Sequence, residues 1–218
     1  MHRLKNDIGN IYFIRGVIYM KILLVGATGT IGQIVYEELK ADAEIIQASR
    51  HAPDYPVDIT SQDSIKQLFN QVGPLDGIIC TVGAAHFGPL EEMTPEQNLI
   101  AVHSKQLGQI NMVLLGQKYL RDHGSITLTT GILMDDPLKT AASAAMANGA
   151  VSAFVKSAAI EIPRGIRINH VSPSMLEKSK EKHGKLFQGY EPVSSTRIGL
   201  AYRKSVFGAQ TGQAYKVY

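Results

Sequence analysis

From Met20 onward, short unbroken apolar runs alternate with longer stretches in which apolar residues return every three or four positions. "KILLVG" (21–26) has no polar interruption, the mark of a strand buried on both faces. "TIGQIVYEELK" (30–40) carries its apolar residues at helical spacing. "AEIIQAS" (43–49) predicts a second strand. "SQDSIKQLFNQV" (61–72) predicts a helix capped by Ser61, and "LDGIICTVG" (75–83) a third buried strand. A long helix is predicted from Pro95, a residue favoured at the first helical position, to about Arg121. "GSITLTTG" (124–131) then reads as a strand, 140–162 as a long helix, "GIRINHV" (165–171) as a strand, 194–206 as a helix and "GQAYKVY" (212–218) as the closing strand. Strands and helices alternating in this way form βαβ units, and hence a parallel sheet covered on both faces. The expectation is an α/β chain: a single doubly wound parallel sheet (a Rossmann fold) of about seven strands ordered 3-2-1-4-5-6-7. One domain spans 20–218. The least regular part, 174–193, is rich in charge and reads as a surface segment, either a lid over a pocket or a connection.

The first residues break the pattern. In 1–19 charges interrupt the apolar positions, so the stretch is neither a clean signal peptide nor part of the domain. The expectation is that Met20 is the natural start and 1–19 a non-native extension. Of a formal charge of +3 over 218 residues, Arg3, Lys5 and Arg15 against Asp7 supply +2. The remainder is close to neutral, which argues against nucleic acid or an acidic membrane as partner. No stretch approaches the ~20 apolar residues of a membrane span. The single cysteine, Cys80, sits in an apolar run and reads as a buried strand residue. A lone thiol fits a reducing cytoplasm. The seven histidines show no metal-ligand spacing, so no metal is expected.

The chemistry concentrates at the first turn. "KILLVGATGTIG" sets Gly26, Gly29 and Gly32 between a buried strand and a helix. Gly26 permits a tight turn, Gly29 lets backbone approach a pyrophosphate, and Gly32 lets helix pack on strand. The free N–H groups of the helix start then attract the phosphates. Gly26, Thr28, Gly29, Thr30, Ile31 and Gly32 are therefore the expected dinucleotide contacts. A preference for NAD usually requires an acid about 20 residues on, at the ribose hydroxyl. Here the second strand ends "QASRH" and offers Ser49 and Arg50 instead. Arginine suits a 2′-phosphate, so NADP(H) is expected over NAD(H). Asp58 could accept from the adenine amine or cap the next turn. Thr81, Val82 and Gly83, ending the third strand, face the same crevice.

With these residues in view, the chain from Met20 to Tyr218 resembles the short-chain dehydrogenase/reductase superfamily. "LLVGATGTIG" is similar to the cofactor turn, with a GxxGxxG spacing nearer the extended branch. "TVGAA" stands in place of the NAG motif. "AVSAFVKSAAIEIPRGIRINHVSP" is similar to the stretch that follows the active-site lysine, and "TGQAYKVY" to the terminal strand. The resemblance implies a tetrad of Asn, Ser, Tyr and Lys. Its positions fall on Lys105, Gly131, Ala144 and Asn148, so none of the four is retained, and the likeness extends to a small bacterial subgroup that lacks them.

In the family the tyrosine delivers the proton, help typically worth ~10²–10⁴ in rate, and an alanine methyl cannot supply it. Thr130, Lys105 and His86 are the substitute candidates. Asp135 and Asp136 read as a solvated turn, and Tyr190 lies in the irregular segment. The Ala, Ser and Gly of 140–162 allow close approach of a second helix, and the resemblance implies a homodimer or homotetramer. Three functions are open. The first is an NADP-dependent oxidoreductase on a carbonyl or alcohol with a non-standard site. The second is a non-catalytic NADP(H) sensor or scaffold, and the third an isomerase or dehydratase that uses the nucleotide structurally.

Overall fold

The computed structural model describes residues 13–14, 17–18 and 20–218. The expectation for residues 1–19 falls mainly outside the described residues. Short two-residue strands, Phe13–Ile14 and Val17–Ile18, pair antiparallel. The domain is built from β1 (Met20–Val25), α1 (Thr30–Leu39), β2 (Ala43–Ala48), α2 (Gln62–Val72), β3 (Leu75–Cys80), α3 (Pro95–Ile100), α4 (Gln109–Gly116), β4 (Leu120–Thr129), α5 (Ala142–Glu161), β5 (Arg167–Pro173), α6 (Lys180–His183), α7 (Ser195–Phe207) and β6 (Ala214–Val217). All six strands run parallel in one sheet, in the order 2-1-3-4-5-6.

Alternation along each buried strand supplies two apolar faces. Leu23, Val25, Ile78 and Ile126 meet Phe69 of α2, Met112 of α4 and Val151 of α5. Ile22, Leu24, Ile79 and Val171 meet Val35 of α1 and Tyr202 of α7. The unbroken apolar runs are thus explained by helices on both sides.

Six strands form where about seven were expected. The order 3-2-1-4-5-6-7 would put the third predicted strand beyond β2, whereas β3 lies between β1 and β4 and leaves the edge beyond β2 without a strand. That place holds a single parallel bridge, Ser49 with Pro56. Pro53 and Pro56 crowd the segment, and proline has no N–H for a ladder. The long central helix is also more divided than its sequence suggests. α3 passes into a π-helical segment, Ala101–Gly108, before α4 resumes. Its α-helical part ends at Gly116, and a 3-10 turn, Gln117–Tyr119, carries the run close to the expected end near Arg121. A Cβ on Gly116 would come within 2.4 Å of Phe69 Cζ, so the helix passes close over the core, and Leu120 then begins β4 by pairing with Leu75.

Candidate functional site

The strand order reverses between β1 and β3, and the carboxyl ends of β1, β3, β4 and β5 share one rim. Ligands of such sheets bind in the crevice outside the switch point. Here the crevice is a cleft of about 400 Å³ lined by Gly26, Thr28, Gly29, Ser49, Arg50, Thr81, Val82 and Gly83 among others. Eight of the twelve residues expected to hold a dinucleotide therefore meet in one place.

Gly26 adopts φ +91°, the left-handed region, and a Cβ on it would lie 2.6 Å from Thr81 Oγ1 and Val82 Cγ2. A Cβ on Gly32 would lie 2.0 Å from the Gly26 carbonyl oxygen, so α1 rests directly on the turn. Gly29 is the N-cap of α1, whose first residues are Thr30 and Ile31. These two and Gly32 stand behind the lining, where they offer main-chain N–H groups. The Thr81 hydroxyl donates to the Val25 and Gly26 carbonyls at 3.1 and 3.2 Å and ties β3 to the turn.

Beyond β2, Ser49 is buried, and its Oγ has no hydrogen-bond partner. Arg50 is exposed beside it on the cleft wall. An unpartnered hydroxyl next to a guanidinium suits a phosphate. Asp58 is not on this wall. Its Oδ1 accepts from Thr60 N–H (2.9 Å) and Thr60 Oγ1 (2.8 Å), which holds its carboxyl below the usual range. Of its two expected roles, the cap is the one its contacts fill.

A second cavity, of about 220 Å³, adjoins the first at Gly83. Lys105, Thr130, Gly131, Ala144 and Asn148 all line it. The four positions singled out by the family resemblance thus converge, with the side chains of this sequence in place. A Cβ on Gly131 would sit 3.4 Å from Asn148 Nδ2. Asn148 is buried, and its Oδ1 has no partner, an acceptor suited to a ligand hydroxyl.

Lys105 belongs to the π-helical segment. A Cβ on Gly83 would lie 2.7 Å from Lys105 Cδ, so the lysine stem runs across the glycine where the two cavities join. Burial draws its ammonium down to about 8. The Thr130 hydroxyl lies 2.8 Å from Nδ1 of His170, a fully buried histidine of β5. Burial, helped by Lys156 and Lys216 against the opposing pull of Asp135, lowers that imidazole to about 4.

The other candidates lie elsewhere. His86 packs against Gly88 and lines neither cavity. Asp135 pairs with Lys216 at 3.0 Å and with the Tyr218 hydroxyl. The Tyr190 hydroxyl donates to the Asp136 carbonyl at 3.1 Å. The 174–193 segment is clamped at its ends by the Leu176–Val193 bridge, and through Met175 and Phe187 it forms a wall of the second cavity.

Two positioning residues carry no motif that would have identified them in the sequence. Gln109, fully buried, accepts Thr129 N–H at 2.8 Å and donates to the Thr129 carbonyl at 2.7 Å, fixing α4 against the end of β4. His170 fixes Thr130. Among the described residues, no three of His, Cys, Asp and Glu group as metal ligands, and no helix is long and apolar enough to cross a membrane.

Residues 26–201 match the family model described as enoyl-(acyl carrier protein) reductase. The vibriobactin-specific 2,3-dihydro-2,3-dihydroxybenzoate dehydrogenase of Vibrio cholerae is 24% identical over 226 residues, covering 89% of this chain and 86% of its own. A crystal structure of a Listeria innocua protein is 58% identical, with a TM-score of 0.90 over 91% of this chain and 100% of its own. A small-chain dehydrogenase solved in complex with NADPH is 26% identical, with a TM-score of 0.82 over 91% of this chain and 96% of its own.

Proposed function

The chain belongs to the short-chain dehydrogenase/reductase family, and from that premise we propose that it is an NADP(H)-dependent oxidoreductase of a small carbonyl or alcohol, with a non-standard active site. The observation that carries this reading is the cleft at the sheet's switch point, whose turn has no room for a side chain at Gly26 or Gly32. Gly26, Thr28, Gly29 and the start of α1 would hold the pyrophosphate. Ser49 and Arg50 would hold a 2′-phosphate, and the NADPH complex of a 26% identical dehydrogenase supports that choice. Thr81, Val82 and Gly83 would border the middle of the cofactor, and Asn148 Oδ1 would accept from one of its hydroxyls. When bound, the cofactor supplies the hydride. The protein's part is to orient the substrate, exclude water and move one proton.

A second reading, a nucleotide sensor without turnover, is favoured by one feature: Ala144 stands where the family's proton-donating tyrosine would be. We also propose a cytoplasmic location, supported by the single buried thiol of Cys80. Recovery only from a periplasmic or secreted fraction would contradict it.

Fluorescence titration with NADPH, followed by NADPH loss in the presence of small aldehydes and ketones, separates the two functional readings. Binding with turnover is expected. Binding without turnover favours the sensor, and no binding contradicts both.

A further inference from the structure

We propose that Lys105 is the proton donor of this site, acting on a small carbonyl compound with an apolar body. The inference rests on the cofactor reading above and deepens it. The walls of the second cavity are mostly apolar, from Ala85, Ile132, Leu133, Ala144, Met175 and Phe187. Lys105 is the only charged side chain among its lining residues. A lone cation in such surroundings stabilises an oxygen on which negative charge develops.

The π-helical segment and Gly83 explain how the lysine is presented. Segments of this kind are rare and are frequently found at functional sites. The missing side chain at Gly83 leaves the space that the lysine stem fills, at the junction between the nucleotide cleft and the smaller cavity. Two other polar groups on the cavity wall are unpartnered, Ser174 Oγ and Asn148 Oδ1, but a serine hydroxyl and an amide are far weaker acids than an ammonium. The remaining rivals are engaged or lie elsewhere. The Thr130 hydroxyl is bonded to His170 and lies 3.4 Å from the Val171 carbonyl. Tyr190 donates to Asp136, Tyr202 is buried against Thr129, and His86 is outside the cavity.

The step balances as follows. The carbonyl carbon gains the hydride and its π bond to oxygen breaks. The oxygen takes a proton from Lys105 Nζ and becomes a hydroxyl. The resulting neutral amine regains a proton from solvent, so one carbonyl, one reduced cofactor and one proton give one alcohol and one oxidised cofactor. The titratable neighbour that acts on Lys105 is the Cys80 thiol of β3, which burial pushes up to about 11 and keeps neutral. With the ammonium near 8, carbonyl reduction should fall as pH rises through about 8, and alcohol oxidation, which needs the free amine, should rise over the same range.

The experiment compares the full-length protein with Lys105→Met and Lys105→Arg. NADPH fluorescence is titrated first. NADPH loss is then followed with propanal, hexanal, acetone and cyclohexanone. The wild type is expected to turn over at least one of these. Both variants should bind NADPH within about threefold of wild type and lose ~10²-fold in kcat/KM, the usual weight of a general acid. Arginine keeps the charge but holds its proton, so it controls for charge and folding. The decline above about pH 8 should vanish from the residual rates of both variants. Turnover within about twofold of wild type in Lys105→Met would overturn the assignment alone. NADPH binding by the wild type with no turnover of any probe would also overturn it, leaving the nucleotide site standing. Failure to bind NADPH would overturn the underlying reading instead.

Discussion

At the residue scale, the proposed discrimination between the two nicotinamide cofactors would fall to a pair of neighbours. Ser49 has a buried, unpartnered hydroxyl, and Arg50 lies exposed beside it on the same wall. A hydrogen bond to a charged group is worth ~1.5–3 kcal/mol. Arg50→Ala should therefore raise the Kd for NADPH by roughly 10- to 100-fold and leave that for NADH nearly unchanged, as read by calorimetry. Equal effects on both would contradict the role given to Arg50. The glycines of the turn were legible in the sequence because their spacing follows from a local need for tight backbone. Ser49 and Arg50 stood out in the sequence because they occupy the place of an expected acid, and the fold sets both on the cleft wall. Gln109 and His170 were not. Their partners, Thr129 and Thr130, lie 20 and 40 residues away, and only the folded sheet brings them together.

At the element scale, the strands announced themselves by apolar runs and the helices by periodicity, since each buries one side against the sheet. The break in the central helix had no such signal. "AVHSKQLG" has an ordinary helical composition, and the close packing within it, Lys105 over Gly83 and Gly108 against Ile59, is long-range and carries no local signal. The same helical run leaves Leu99, Ile100, Leu107 and Leu114 exposed, and α5 leaves Met146 exposed. Exposed apolar side chains grouped on adjacent helices mark association surfaces. We propose that the run from α3 through the π-helical segment to α4, together with α5, faces a second copy of the chain, giving a homodimer or homotetramer. Sedimentation at micromolar concentration should show the oligomer, and a monomer there would contradict it.

At the scale of the whole molecule, stability and site are joined through His170. It is fully buried in β5, bonded to Thr130, and faced by Lys156 of α5, Asp135 of the loop after β4 and Lys216 of β6. Its imidazole falls from 6.5 to about 4 in the folded chain. Above pH 6.5 both folded and unfolded forms are neutral, and stability is full. As pH falls from 6.5 towards 4, the unfolded chain binds a proton that the folded chain does not, and stability is lost. The loss approaches roughly 3 kcal/mol at the acid end. Urea midpoints of the wild type should fall over this range. His170→Asn should remove that part of the decline, and an unaltered decline in the variant would contradict the account.

The parallel order of the sheet was legible from the βαβ alternation. The place of β3 between β1 and β4 was not, because alternation makes the strands parallel without saying which of them are neighbours. That order places the carboxyl ends of four strands around one crevice, and the central claim is that this crevice holds NADP(H). A crystal grown with NADP⁺ tests it most directly. The account predicts the pyrophosphate over Gly29 and the first turn of α1, with the 2′-phosphate against Ser49 Oγ and the Arg50 guanidinium. An empty glycine turn in a crystal saturated with the nucleotide, or the nucleotide bound elsewhere, would contradict it.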